Sequence, residues 1–513
     1  MAKNTLSKLL SDTIIYGLSS IVGRFLNYLL FPVYTYHISA ASGGYGVVTN
    51  VYAYTALLMV ILTFGMETTF FYYSNREGAD RRRVFSTALG AVGAVCLCFV
   101  VLVMTLITPV STAMGYSDHP EYIRAMALVV AIDAFQAILF ARLRQEGRPW
   151  KFFALKMAFI ILSIGLNLFI FLVAPHWSHL SWMGWYDEAN NVKYIFYINL
   201  VCTALVTFGF VKELRDFRFT SFDGHLLKKM LRYAWPLLLF GIVGIFNQVA
   251  DKILLPWLLP GGEGRVQLGI YGACVKLAMI MALITQAFRY AYEPFVFGMG
   301  TRAKSSEPSD KQSKETQALA TKYFIMFTLL AFLAVMCYID VLQYLMGADY
   351  REALTAVPIV MMAEILMGIY FNLSFWYKLN GQTWWGAVMS TIGCIALVGV
   401  NVLFVPEREI WGLHWDGFGY MACAWGGLVG YGVCVLLSYF IGQKKNPVPY
   451  PVAAIGGYFA LALALYGASV WLRPDALWLR LLLNTALLLV YVGVVMYNER
   501  TLVRSVLRKF LKR

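Results

Sequence analysis

Charge is what this chain has least of. Of its 513 residues only 14% are Asp, Glu, Lys or Arg, where a soluble domain carries about 25%. The deficit excludes a conventional soluble multi-domain protein. Cysteine is also sparse: the eight residues contain no CxxC pair, and nearly all fall within apolar runs, where they read as small packing residues. The six histidines, His37, His119, His176, His179, His225 and His414, lie mostly in predicted loops without metal-ligand spacing. No GxxxxGK[ST] loop is present, so the chain has no phosphate cradle for an ATPase of its own. No catalytic constellation, metal site or resident cofactor is expected, nor a cleavable signal peptide: the first apolar stretch is too long for one and lacks a small-residue cleavage site.

What the chain has is hydrophobic length. Sixty per cent of residues are hydrophobic and mean hydropathy is +0.64. A bilayer core needs about 20 apolar residues per helix. Fourteen spans meet that need: 13–38, 45–73, 84–109, 121–141, 152–174, 194–211, 231–257, 267–292, 320–346, 353–377, 383–405, 417–441, 452–471 and 478–497. The fold class is thus an all-α polytopic membrane protein. With alternate loops on alternate sides and the N-terminus inside, the inner loops and tails hold 29 Lys and Arg and the outer loops 5. That asymmetry is the positive-inside bias. It places both termini in the cytoplasm and accounts for the net charge of +14 without nucleic acid. The most polar run, 301–316, reads as a mobile cytoplasmic segment. The outer loop 175–193 carries Trp177, Trp182, Trp185 and Tyr186, as an interfacial belt or a sugar-stacking surface.

The chain also repeats itself. Tyr45, Gly46, Glu67 and Phe71 recur as Tyr271, Gly272, Glu293 and Phe297, all at an offset of 226 residues. The two copies open spans 2 and 8, six spans apart and therefore parallel. This predicts two six-helix bundles, 1–212 and 213–445, followed by 446–513 with two further helices and a basic tail.

Ionisable residues inside a bilayer are costly and face a cavity or a partner. The deep set is Arg24, Asp133, Lys156, Asp251, Lys252, Lys276 and Glu364, with Glu67, Arg289 and Glu293 nearer the span ends. Ser20, Gly23, Arg24 and Asn27 follow i, i+3, i+4, i+7 spacing and share one helix face. A polar face centred on arginine suits an anionic ligand; pairing of Arg24 with Asp133 or Asp251 is the structural alternative. Asp251 and Lys252 are neighbours in sequence, which predicts that they cannot face each other and that at least one points into a central space. Lys156 lines the cavity or snorkels to the cytoplasmic interface. Glu67 and Glu293 fall near the inner boundary as matched carboxylates, either a cytoplasmic gate or static anchors.

SDTIIYGLSSIVGRFLNYLLFPVYT in span 1, GYGVVTNVYAYTALLMVILTFGMETTFFYY in span 2 and KLNGQTWWGAVMSTIG from Lys378 to Gly393 resemble the polysaccharide flippases of the MATE-like, or MOP, superfamily, of the Wzx type. The resemblance implies two bundles in a V around a central cavity that opens alternately to each face. It implies an undecaprenyl-pyrophosphate-linked oligosaccharide carried from the cytoplasmic to the outer leaflet of a bacterial inner membrane. It further implies pyrophosphate binding by Arg24 on helix 1 and by Lys276 and Arg289 on helix 8, with a lipid groove over 452–497; Asn27, on the Arg24 face, and Lys252 are further candidates for that cavity. Coupling to a proton or sodium gradient would use Asp133, Asp251 or Glu364, with Glu67 and Glu293 at the gate. The implied partners are the lipid-linked substrate, membrane lipids, a polysaccharide polymerase and glycosyltransferases. A lipid II flippase shares this chemistry with a different sugar. A multidrug/cation antiporter would carry twelve helices and an acidic cavity. A polymerase or ligase would need a large outer loop.

Overall fold

The computed structural model describes residues 28–259, 261–303, 307–410 and 413–500. The regular secondary structure in that range is helical except for one short hairpin, Arg408–Ile410 with Leu413–Trp415, in register Arg408↔Trp415 and Ile410↔Leu413. Twelve described helices are long and apolar enough to cross a membrane, and a thirteenth, Val192–Phe208, is apolar but shorter. The first expected span reaches the described residues only at its end, helix α1 (Leu30–His37). The chain is a multi-pass membrane protein.

The chain gathers into two compact units, residues 1–273 with 401–423, and 274–400 with 424–513. The first unit begins with α1, α2 (Gly44–Thr63) and α3 (Met66–Ser74). It continues with α4 (Arg81–Thr105), α5 (Pro120–Gln145), α6 (Pro149–Leu168), α7 (Val192–Phe208) and α8 (Gly224–Leu258). The first turns of α9 (Glu263–Ala303) complete it, together with the hairpin. Helix α5 is the hub: α2, α4, α6 and α7 all pack on it, and α8 lies along α2. Local chemistry sets the helix starts. Asp80 accepts from the Arg82 and Arg83 amides at 3.0 and 3.2 Å, and Asp223 from His225 and Leu226 at 2.8 and 3.2 Å, satisfying amides that have no partner in the first turn. Prolines open α5 and α6, where the missing N–H costs nothing.

Expected span 2 is broken. Phe64 (φ 34°) and Gly65 (φ 70°) both adopt the left-handed region, ending α2 and restarting the chain as α3. Glycine takes this conformation freely, whereas Phe64 does so at a cost of order 1 kcal/mol. Gly65 also faces α8 closely: a Cβ there would lie 3.0 Å from Leu237 Cβ and 3.2 Å from the Ala234 carbonyl.

In the second unit the rest of α9 joins α10 (Glu307–Cys337), α11 (Val357–Leu373), α12 (Trp384–Phe404), α13 (Tyr420–Lys445), α14 (Val452–Trp471) and α15 (Leu477–Asn498), with the ends of α12 and α13 belonging to the first unit. Helix α10 is its hub, packing on α11, α14 and α15. The polar run 301–316 is corrected here: Thr301–Ala303 and Glu307–Thr316 continue α9 and α10. Polarity argues against a core but not against a helix, and Ala, Glu, Lys and Gln are good helix formers.

Candidate functional site

Within the first unit, α8 carries a fully engaged carboxylate. Both Asp251 oxygens lie 3.0 Å from Lys252 Nζ, and Tyr271 Oη donates to Asp251 at 2.7 Å. Lys252 Nζ also donates to the Gln248 carbonyl at 3.1 Å. The expectation that neighbouring residues cannot pair is overturned. The four-carbon lysine stem curls back along the helix and brings its ammonium to the preceding side chain. Asn50 on α2 donates to the Lys252 carbonyl at 2.8 Å and accepts from Tyr116 Oη at 2.8 Å, so the charged pair is held in a hydrogen-bonded setting.

In the same unit, Asp133 on α5 lies beside the Lys156 ammonium of α6 and the Thr203 hydroxyl of α7. Lys156 Nζ sits 4.1 Å from the Phe140 ring centroid and also feels Glu67 and Arg144. Gln136, one turn from Asp133, donates to the Thr203 carbonyl at 2.9 Å and to Thr207 Oγ1 at 2.8 Å, locking α7 to α5. Nearer the end of α5, Glu67 forms an ion pair with Arg144, whose guanidinium also lies 5.0 Å from the Phe71 ring. Glu67 is therefore bound within its own unit.

Beyond Glu67 lies a charge network that composition did not single out. Glu213 is 1% exposed and accepts from Arg148 and Lys151, each at 2.7 Å. Arg142 holds Glu146 at 2.6 Å and Asp216 at 2.5 Å, and Arg83 pairs with Asp223 at 3.2 Å. Three carboxylates, Glu213, Asp216 and Asp223, within the basic loop 212–229 were the available signal.

In the second unit, Arg289 of α9 is half-buried. Its guanidinium lies 4.1 Å from the Phe371 ring centroid on α11, and its buried Nε has no hydrogen-bond partner. Lys276 on α9 and Glu364 on α11 are half-buried in the same unit. Arg24 and Asn27 lie outside the described residues, and so does the Glu293 side chain.

Two buried carboxylates missed in the sequence fasten α14 and α15 to α10. Asp340 lies between Arg473 at 2.9 Å and Arg480 at 3.0 Å. At the opposite end Glu499 accepts from Lys322 at 2.7 Å and Tyr458 Oη at 3.1 Å. Burial pushes the Glu499 carboxyl up, but Lys322, Tyr458 and Tyr323 outweigh it and hold the group below its ordinary value. Between them Asn484 accepts from Ser469 and donates to the Cys337 carbonyl, each at 2.7 Å.

A family model described as polysaccharide biosynthesis protein matches residues 9–290, more than half of the chain. None of the curated proteins matches. Among solved structures, lipid II flippase MurJ in an inward closed conformation superposes with TM-score 0.67, covering 94% of this chain and 99% of its own at 12% identity. An inward-facing multidrug resistance MATE transporter of the MOP superfamily superposes with TM-score 0.61, covering 87% and 96% at 16% identity. A MATE protein in the bent conformation gives 0.51, covering 88% and 95% at 16% identity. At these identities the likeness is one of fold. The protein belongs to the polysaccharide biosynthesis protein family and has the fold that MurJ shares with the MATE transporters of the MOP superfamily.

Proposed function

We propose that the protein is a flippase that carries an undecaprenyl-pyrophosphate-linked oligosaccharide from the cytoplasmic to the outer leaflet of a bacterial inner membrane. Both termini are cytoplasmic, as the distribution of Lys and Arg requires. The observation that carries the reading is Arg289. Among the described residues no carboxylate pairs with it, its Nε has no hydrogen-bond partner, and its guanidinium lies against an aromatic face. A guanidinium kept in an apolar layer without a counter-ion is suited to an anion that arrives from outside the protein. Pyrophosphate cannot cross hydrocarbon bare, and basic side chains replace its lost water with charge-assisted hydrogen bonds. Arg24, Asn27, Lys252 and Lys276 supply the remaining polar contacts. The lipid tail stays in the bilayer, and rocking of two similar halves exposes the sugar to each side in turn. A proton or sodium gradient biases the two states through Asp133, Asp251 or Glu364. The glycan arrives from glycosyltransferases and leaves to a polymerase.

The test is export in cells. Arg24→Ala and Arg289→Ala abolish surface polysaccharide and leave the lipid-linked glycan inside, while Arg24→Lys retains part of the export. Normal polysaccharide from well-expressed alanine variants sinks the assignment. Accumulation of lipid II in cells lacking the gene transfers the reading to a lipid II flippase.

A further inference from the structure

Where α3 ends and α4 and α8 begin, the first unit holds a cavity of about 340 Å³ lined by Tyr73, Arg76, Glu77, Asp80, Asp223 and Lys229, among others. That is the lower end of the ~300–1,000 Å³ typical of small-ligand sites. The apolar spans Gly44–Ser74, Arg81–Thr105 and Gly224–Leu258 all stop here, so the cavity lies at a membrane surface.

Its charges are not all spent. Asp80 and Asp223 cap α4 and α8, and Arg83 pairs with Asp223 at 3.2 Å. That leaves Arg76, Lys229 and Glu77, all exposed. Among the described residues none of these three has an ion-pair partner. Aromatic groups hold the cations in place. Arg76 donates to Tyr72 Oη at 2.5 Å, and its Cζ lies 4.5 Å from the Tyr72 ring centroid and 5.0 Å from that of Tyr73. A ring face attracts the guanidinium without neutralising it. Tyr72 stacks on Tyr233 of α8, centroids 4.4 Å apart, and Tyr73 Oη donates to the Lys229 carbonyl at 3.2 Å. Tyrosine is favoured at this depth because its ring is apolar and its hydroxyl is not. Along α8, Lys229, Arg232, Pro236 and Phe240 follow i, i+3, i+7, i+11 spacing and are all exposed. One face thus passes from basic to apolar in about three turns, the order of headgroup and acyl chain in a lipid.

We propose that this cavity binds the headgroup of a membrane aminophospholipid of the phosphatidylethanolamine type. Arg76 and Lys229 take the phosphodiester through charge-assisted hydrogen bonds, and Glu77 accepts from the primary ammonium. A phosphate alone would use the two cations and leave Glu77 opposed to it. The bound lipid ties the end of α3 to the start of α8. The site is independent of the transported ligand.

Binding of short-chain phospholipids to the full-length protein in detergent, read by native mass spectrometry, tests it, with dihexanoyl phosphatidylethanolamine, phosphatidylcholine and phosphatidylglycerol as probes. Wild type binds the ethanolamine lipid about tenfold more tightly than the choline lipid, whose trimethylated ammonium keeps the charge but has no N–H to donate to Glu77. Glu77→Ala brings the two within about twofold. Joint Arg76→Ala and Lys229→Ala substitution weakens both by about tenfold or more, the worth of one charge-assisted contact. Arg76→Lys retains most of the binding, which separates a lost charge from a misfolded chain. O-phosphoethanolamine, the headgroup without chains, competes poorly, which identifies the membrane as the source; equal competition overturns the lipid. A wild type without preference for the ethanolamine lipid, a tighter hold on the glycerol lipid, or a double variant that binds as wild type does overturns the site. None of these outcomes bears on the export test of the flippase reading.

Discussion

The duplicated Tyr-Gly pair makes a sharp prediction, because the two copies meet. Gly46 on α2 and Gly272 on α9 both lie at one helix crossing within the first unit. A Cβ on Gly46 would sit 1.8 Å from the Arg265 carbonyl oxygen and 2.9 Å from the Gly269 amide nitrogen, both backbone atoms. A Cβ on Gly272 would meet the Thr49 hydroxyl at 2.7 Å, a side-chain atom. Backbone cannot turn aside, so Gly46→Ala must push α2 and α9 apart; overpacking of this kind costs about 3 kcal/mol. Thr49 can rotate instead, giving up its 2.9 Å hydrogen bond to the Tyr45 carbonyl, a loss of about 1 kcal/mol. The difference of about 2 kcal/mol is roughly 30-fold in an equilibrium constant. The assay is equilibrium unfolding of the two alanine variants by SDS in mixed micelles, followed by tryptophan fluorescence against wild type. A Gly272→Ala variant as unstable as Gly46→Ala would refute the reasoning, because the sequence repeat alone treats the two glycines as equivalent.

Burial ranks the ion pairs. Glu213→Ala removes the buried acceptor that Arg148 and Lys151 share and costs about 2 kcal/mol, whereas Glu67→Gln breaks a pair whose side chains are 41% and 32% exposed and costs under about 1 kcal/mol. The same unfolding assay checks the order, and equal losses would contradict it. Glu499 predicts an acid limit. Its folded value is held below the ordinary 4.5, so its contribution is present in full above that pH and is lost as pH falls through the folded value. Wild type therefore loosens α14 and α15 below about pH 4.5, detected as rising proteolysis between α13 and α14, and Glu499→Gln loses that pH dependence.

Much of the architecture was legible because a bilayer demands it. A helix that satisfies its own backbone needs only length and apolarity, and both are written locally. What failed was anything set by reach or packing. The Asp251–Lys252 pair was misread because helix spacing describes where side chains start, not where a flexible ammonium ends. The break at Phe64–Gly65 was invisible because TFGM stays apolar across it. Helix α10 could not be extended through 307–316 because polarity was read as the absence of structure. Glu499, Asp340 and Glu213 were passed over because the cations that hold each of them are remote in sequence.

The sequence by itself determined a multi-pass helical membrane protein in which Tyr45, Gly46, Glu67 and Phe71 recur at one offset and Lys and Arg concentrate in alternate loops. These follow from composition and from offsets along one chain, which solvent and bilayer read residue by residue. Only the tertiary structure decided which charges are spent. Asp251, Asp133 and Glu67 have partners within their own unit, whereas Arg289 lies against the Phe371 ring with its Nε unpartnered. Pairing depends on distances of a few ångströms between helices remote in sequence, and Coulomb energies in a low dielectric change steeply over that range.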